Sequence, residues 1–383
     1  MKRICIVRGK RTPQGRFMGS LAKYTPLQLG VAAAEAALDG IDRSLIDMVI
    51  VGRVMPPDNN VGRQILVTLG IPNESPGFTV NMACASGMKA ANLAADAIQL
   101  GQANVVLAGG VESMTNAPHV LQNARFGSKM GDMKIVDHLL VGLSDEVIGE
   151  HMGQTAERLA EQYGINRAAQ DKYAYDSHMK ALAAHKDGAF ADELVPLPEL
   201  DHDEHPRADT TIEKLGTLKT VFKKDGTVTP GNASGINDAG AMMLICDDKT
   251  AAKHGWEPLC YLDQYTQVGC DPRIMGIGPA HAFTKLCAES GTTLNDFDAI
   301  EINEAFAAQA IACLREMKLP DDESRLNIEG GAVGLGHPVG VSGARLLVHL
   351  AHKIARGNSK RALAGLCVGG GQGIASILTE KPA

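Results

Sequence analysis

Two cysteines, one histidine and one asparagine carry the chemistry legible in this chain. Cys84 lies in Thr79–Ala90, TVNMACASGMKA, where an apolar run gives way to Ser86-Gly87 and then to an Ala-rich segment, Met88 to Leu100. This reads as strand, sharp turn and helix. Cys84 then sits at a helix N-terminus, where free N–H groups and the helix dipole favour negative charge, so a lowered pKa and some thiolate character are expected. The plainer reading is a small buried hydrophobe, the commonest fate of a free cysteine. His337 stands among glycines in Gly330–Gly343, GGAVGLGHPVGVSG, a loop of tight turns that brings backbone close to a ligand. Cys367 opens Cys367-Val368-Gly369-Gly370-Gly371, a second cysteine at a strand-to-loop transition. Asn303 and Glu304 follow an apolar strand in EINEAFA, where Asn303 is also placed to cap the helix through Leu314.

Two cysteines and a histidine without metal-ligand spacing point to covalent acyl transfer. A thiolate attacks a thioester or ketone and the histidine takes its proton. A second cysteine has no role in simple hydrolysis. It has one if a carbon must also lose or gain a proton near neutral pH. Glycine-rich turns can supply N–H groups to the oxyanions formed on the way.

These residues need a large scaffold. At 383 residues the chain is long enough for two domains, or for one duplicated unit with an insertion. Apolar residues make up 45%, ample for a large core. A net charge of -7 argues against nucleic acid as a main partner. The eight cysteines form no C-x-x-C pair, which reads as a reduced, cytoplasmic protein without a zinc site. No segment approaches the roughly 20 apolar residues that span a bilayer. MKRICIVRGKRTP is not read as a signal peptide, nor the final EKPA as a peroxisomal address.

Strands are expected at 2–8, Asp47–Gly52 and Asn104–Ala108, the last ending in Gly109-Gly110. Helices are expected from Tyr24 to Leu38, with Thr25 or Tyr24 near the cap, and from Asn60 to Leu69. Alternating strands and helices mean an α/β domain with a largely parallel sheet. Residues 115–230 change character, with helices at Gly153–Tyr163 and Arg167–Asp187 and a Pro/Asp/His-rich loop from Pro196 to Asp209. This reads as an insertion, because β-type sequence resumes at Ala239–Cys246. The last 130 residues repeat the α/β pattern. Ser86-Gly87-Met88-Lys89 is echoed by Ser342-Gly343-Ala344-Arg345, and Leu107–Gly110 by Leu366–Gly370. The order favours two duplicated halves, back to back about a pseudo-two-fold axis.

Together, NMACASG at 81–87, GGVESM at 109–114, GEHMGQTAE at 149–157, NASGINDAGA at 232–241, GIGPA at 276–280, NEAFA at 303–307, GGAVGLGHPVGVSGAR at 330–345 and CVGGGQG at 367–373 resemble the thiolase family over nearly the whole chain. The resemblance implies a duplicated α/β fold in five layers, αβαβα. The first half would be 1–118 with 231–255, the inserted loop domain 119–230, and the second half 256–383. It implies acylation of Cys84, activated by His337, which also helps bind a thioester oxygen with a water positioned by Asn303. It gives Cys367 the α-proton, and makes a second oxyanion hole from the N–H groups of Cys84 and Gly369. Leu143, His151, Arg207 and Ser234 fall where relatives contact coenzyme A; Met152, Met275 and Phe306 fall where relatives line the acyl pocket. No permanent cofactor is implied, only coenzyme A thioesters as substrates.

The insertion, with Arg125–Asp137 (RFGSKMGDMKIVD) and Gly142–Asp145, resembles the biosynthetic type, which joins two acetyl-CoA to acetoacetyl-CoA and CoA and forms homotetramers through this region. Met152 is expected to shorten the acyl pocket. Three features depart from that type: Val147, Ile148 and Glu150 stand where aromatics are common, Lys214 replaces a small polar residue near the adenine, and Asp238-Ala239-Gly240 inverts the usual order. The alternatives are a degradative 3-ketoacyl-CoA thiolase for longer chains, a decarboxylating ketoacyl synthase, and a lipid-binding or scaffolding relative without chemistry. Asn303 and Cys367 argue against the synthase, and the full catalytic set against the last.

Overall fold

The computed structural model describes residues 2–380; Met1 and the final Lys381–Ala383 of the EKPA terminus lie outside the described residues. Among the described residues ten strands form the main sheet, nine of them along its path: β1 (Ile4–Arg11), β2 (Met48–Gly52), β3 (Gly77–Val80), β4 (Val105–Ser113), β5 (Asn237–Asp247), β6 (Cys260–Gly269), β7 (Ala299–Ile302), β8 (Arg361–Val368) and β9 (Gln372–Thr379). Their order is β7-β8-β9-β6-β1-β5-β4-β2-β3, with Gly15–Arg16 pairing beside β5. The sheet is mixed. β2 runs parallel to β3 and β4, and β7 parallel to β8, while the other pairs are antiparallel. The largely parallel sheet expected from the alternating pattern therefore holds only at the two outer ends. The antiparallel centre comes from the strand that closes each half.

Two helices fill the middle layer. α3 (Ser86–Gln99) has 10 of its 14 residues buried and α8 (Ser342–Ala355) has 13 of 14, which only a helix covered on both faces can reach. Their alanines and leucines pack together with β1, β4 and β5 on one side and β8 and β9 on the other. α1 (Pro26–Ala37) and α2 (Val61–Thr68) cover the outer face of the first half. α6 (Gly278–Ser290) and α7 (Ala307–Glu316) cover that of the second. Helix, sheet, helix pair, sheet, helix makes five layers. The halves meet through α3 and α8, and the sheets also join edge to edge at two residue pairs, Cys5 with Tyr261 and Ile6 with Cys260.

The sequence echo has a physical counterpart. A side chain at Gly87 would come within 2.9 Å of Ala344 N, and one at Gly343 within 2.6 Å of Met88 N. Each helix start thus needs a glycine where the other crosses it. The strand half of the echo is imperfect: β8 stops at Val368, but β4 runs through Gly109 and Gly110 to Ser113, because Gly110 pairs with Ala241 and leaves space for the Gly340 carbonyl. β1 likewise extends past residue 8 to Arg11. α1 starts as expected, with a Thr25–Gln28 capping box and Pro26 in the first turn.

Segment 119–230 adds no strand to the main sheet. Its helices α4 (Met152–Gln162) and α5 (Arg167–Lys186) pack on the second half, Leu159 entering the α6–α7 core and Ser177 bonding the Gly331 region.

A buried ion network ties α8 to β1. Arg11 meets Glu193 at 2.6 Å and Asp203 at 2.7 Å; His349 meets Glu193 at 3.0 Å and Glu329 at 3.3 Å; Lys353 also pairs with Glu329. Burial alone would lower the pKa of His349, but Glu193 and Glu329 raise it to about 9. Burial would raise those carboxyls, but Arg11 and His349 hold Glu193 near 2, and His349 and Lys353 hold Glu329 near 2. Glu301, Glu329 and His349 lie within 4.8 Å of one another, yet Arg345, Lys353 and the protonated imidazole already answer their charge. The contribution of His349 to stability is full below its unfolded pKa of about 6.5 and is lost as pH rises through about 9. The carboxylates contribute above about 4.3 and lose their part as pH falls towards 2. We expect His349→Ala to lower unfolding free energy by about 3–5 kcal/mol at neutral pH. The alkaline fall in melting temperature between about pH 6.5 and 9 should largely vanish with it. An unchanged alkaline limb would place that titration elsewhere.

Candidate active site

The chain around Cys84 is a strained turn held by its own side chains. Ala83 has φ of 44°, the left-handed region that alanine rarely adopts. Asn81 Oδ1 accepts from the Ala83 N–H at 3.0 Å; Ser86 Oγ accepts from the Met82 N–H at 2.9 Å and donates to the Ala83 carbonyl at 2.7 Å. Cys84 follows directly, one residue before the cap of α3.

Its thiol differs from the sequence expectation. Burial pushes the pKa up to about 11, against the N–H groups of Gly369 and of Cys84 itself, which hydrogen-bond the sulfur and pull it down, and nearby Glu112 adds to the rise. The helix start does not offset desolvation, so the resting group is a thiol. Glu112 is itself buried and accepts from the N–H groups of Val54, Met55 and Gly340 at 3.0–3.1 Å, which fixes the loop after His337 beside the Cys84 turn.

His337 is buried, and burial, with Arg345 adding to it, lowers its pKa to about 4. Ser342 Oγ donates to the Pro338 carbonyl at 3.1 Å and lies 2.5 Å from His337 Nδ1. A hydroxyl that donates to this carbonyl can accept from Nδ1–H, the tautomer that leaves Nε2 its lone pair. The His337 N–H donates to Asn237 Oδ1 at 2.9 Å, fixing the backbone as well. Ser342→Ala should cut kcat by about 10–100-fold and leave acyl-CoA binding nearly unchanged, by freeing the ring to adopt the other tautomer. A loss of binding without loss of kcat would contradict that.

Asn303 Nδ2 lies 3.4 Å from His337 Nε2. Its Oδ1 is buried with no hydrogen-bond partner among the described residues. Asn303 does not cap the following helix: α7 begins at Ala307 behind Phe306, with no side-chain cap. Its neighbour Glu304 anchors the turn by accepting from Ser177 Oγ at 2.6 Å, Asn327 Nδ2 at 2.7 Å, the Val333 N–H at 3.0 Å and Tyr173 Oη at 3.1 Å. Cys367 lies at the end of β8, fully buried. Burial, then the neighbouring Cys84, Cys313 and Cys270, raises its pKa well above the ordinary thiol value, not towards neutrality as expected.

A cavity of about 630 Å³ gathers most of the candidates. Nine of the twelve line it: Cys84, Leu143, His151, Met152, Arg207, Ser234, Met275, Phe306 and His337. Asn303, Cys367 and Gly369 stand behind or beside it; a side chain at Gly369 would touch Met152 Sδ at 3.6 Å. His151 also caps α4, accepting from the Gly153 N–H at 3.0 Å, and stacks on Phe222 at 4.8 Å. Phe222 meets Phe306 edge-on at 6.1 Å. Phe222, like Arg16, Phe17 and Met18 at the same cavity, was missed, since nothing in its local sequence marks it. Arg207 is exposed at the cavity and also lines a side cavity of about 210 Å³ with Lys214, whose ammonium lies 3.1 Å from Asp209. Ser342 and Asn237 could have been found, because both stand inside quoted motifs.

Residues 4–249 match the thiolase N-terminal domain and 256–380 the thiolase C-terminal domain. The chain belongs to the thiolase family. An acetyl-CoA acetyltransferase of Pseudomonas aeruginosa is 44% identical over 394 residues, covering 99% of this thiolase and 100% of the relative. The crystal structure of the Bacillus anthracis acetyl-CoA acetyltransferase superposes with a TM-score of 0.96 at 41% identity, covering 99% of each chain. That of human mitochondrial 3-ketoacyl-CoA thiolase in complex with CoA does so at 0.97, also at 41% identity, covering 99% of this chain and 98% of that one. The fold is the thiolase fold and the enzyme is an acyltransferase. No helix among the described residues is long and apolar enough to cross a membrane.

Proposed function

We propose that this thiolase interconverts two acetyl-CoA with acetoacetyl-CoA and free CoA through an acyl group on Cys84. The observation that carries the reading is that Cys84 and a buried, neutral His337 line one cavity. In cleavage, His337 Nε2 takes the thiol proton as Cys84 sulfur attacks the 3-keto carbon. The C2–C3 bond breaks, and the leaving carbanion takes its proton from Cys367, which burial keeps protonated. One acetyl-CoA departs. Free CoA then attacks the acyl group, giving its thiol proton to Cys367 while His337 returns its own to Cys84. All three groups end as they began. Condensation is the reverse: Cys367 protonates the departing CoA and, as a thiolate, removes the α-proton of the second acetyl-CoA.

The N–H groups of Cys84 and Gly369 are suited to one carbonyl oxygen, and His337 with an Asn303-bound water to the other. Leu143, His151, Arg207 and Ser234 serve coenzyme A, while Met152, Met275 and Phe306 face the acyl end. No permanent cofactor takes part. Residues 119–230 act as a loop domain inserted into the first half (1–118 and 231–255), ahead of the second half at 256–383. Its His119–Leu121 and Ile135–Asp137 hairpin carries exposed Leu121, Phe126, Met130 and Ile135, which supports a homotetramer. The reduced cysteines favour a cytoplasmic setting.

Thiolysis of acetoacetyl-CoA by free CoA tests the reading. We expect ping-pong kinetics and two acetyl-CoA per turnover. Failure of free CoA to accelerate substrate loss would contradict it.

A further inference from the structure

The cavity at Cys84 has an inner and an outer end. Met275 and His337 in its lining are buried. Phe17 and Met18, from the segment after β1, and Leu140 and Val221, from segment 119–230, line it too and are exposed. Four large apolar side chains left in water around one opening mark a place that a ligand covers.

Met18 is anomalous twice. Its backbone has φ of 54°, the left-handed region that suits glycine or asparagine. Its side chain is 74% exposed, too open for packing within the chain to explain that conformation. The turn is firmly held all the same. Gly15 and Arg16 pair with Asp238 and Asn237 of β5. Glu204 accepts from the N–H groups of Arg16 at 2.8 Å and Ser20 at 3.2 Å, and from Ser20 Oγ at 2.9 Å. Thr115 Oγ1 accepts from the Met18 N–H at 3.0 Å, and the Thr115 N–H donates to Asp238 Oδ1 at 2.9 Å. An unfavourable conformation fixed by its surroundings in this way belongs with ligand clamps.

The chemistry at the inner end decides what passes the rim. A 3-keto thioester with its reacting carbon at Cys84 must lead its coenzyme out through the open end. The first part to reach the rim is the pantetheine arm: two amides spaced by methylenes, then a carbon bearing two methyl groups. The nucleotide and its phosphates lie further out. An apolar rim suits the methyl-bearing carbon and offers phosphates nothing. We infer that Phe17 and Met18 close over the pantetheine arm of the bound thioester, and that the left-handed turn serves to lay the Met18 side chain on it. This deepens the Cys84 acyl-enzyme reading and rests on it. Such a contact is made equally in the ground and transition states, so it bears on KM more than on kcat.

The experiment is thiolysis, by saturating free CoA, of acetoacetyl-CoA and of acetoacetyl-pantetheine, which keeps the arm and lacks the nucleotide. Met18→Asn suits a left-handed backbone better than methionine does and removes the apolar contact. Met18→Leu keeps the contact. We expect Met18→Asn to raise KM for both thioesters by the same factor, at least about fivefold, through KM rather than kcat and without lowering the melting temperature. Met18→Leu should recover most of that loss. A Met18→Asn enzyme with the wild-type KM overturns the inference, as does a rise confined to acetoacetyl-CoA, which would place the contact at the nucleotide. A Met18→Leu enzyme as impaired as Met18→Asn overturns it too, and so does a KM rise that comes with a lower melting temperature, the signature of a structural role. Wild-type Cys84 left unacylated by either thioester, followed by mass spectrometry in the same samples, overturns the underlying mechanism instead.

Discussion

Cys84→Ser is expected to lower thiolysis of acetoacetyl-CoA by about four orders of magnitude or more, the scale of losing a nucleophile outright. The site gives a specific reason for such severity. Cys84 rests as a thiol with its pKa near 11, and His337 as a neutral base near 4. Their ion pair is therefore not stored in the free enzyme and must form as sulfur attacks. A serine hydroxyl is a weaker acid still, so the same proton transfer becomes harder. Substrate binding should change little, because the coenzyme-facing residues are untouched. The pH profile follows from the same pair. The base is available above about pH 4 and is lost as pH falls through that value, so the acid limb of kcat/KM should lie well below neutrality. A variant that retained a normal burst of acyl-enzyme would move the nucleophile elsewhere.

Cys367→Ala is expected to divide the reaction. Acetyl transfer to Cys84 needs Cys84, His337 and a departing thiol, so acetylation by acetyl-CoA should persist, at a reduced rate. Carbon–carbon bond formation and cleavage need a group to hold the carbon-bound proton, and should fall about 10³-fold or more. Exchange of solvent deuterium into the methyl group of acetyl-CoA should disappear together with condensation. Retained condensation in this variant would show that another group handles that proton. The fully buried position of Cys367, with three other thiols as neighbours, makes the rest of its surroundings a poor source of a substitute base.

Much of this was legible before any coordinates. Both middle-layer helices announced themselves by a Ser-Gly start, the first with an Ala-rich sequence behind it, because a helix start crossed closely by another needs small residues there. The resemblance named nine candidate residues that share one cavity wall. What the sequence could not show was the balance of burial against dipole. Cys84 sits at a helix start, as expected, yet desolvation outweighs the favourable N–H groups and keeps it protonated. Cys367 is raised well above an ordinary thiol for the same reason. Asn303 had a helix-capping pattern, but Glu304 pulls the turn away through four bonds to residues as distant in sequence as Tyr173 and Val333. The strand through Gly109-Gly110 failed for a related reason: glycines that look like a stop are there to admit the Gly340 carbonyl.

The most direct test of the central claim is covalent. The wild-type enzyme would be incubated with acetyl-CoA alone, digested, and the peptide bearing Cys84 weighed, with and without a chase of free CoA. An acetyl group on Cys84 in near-stoichiometric amount, removed by the chase and absent from Cys84→Ser, is the result this account predicts. An unmodified Cys84 in an enzyme that still turns over, or an acetyl group on another residue that the chase removes at the catalytic rate, would contradict it.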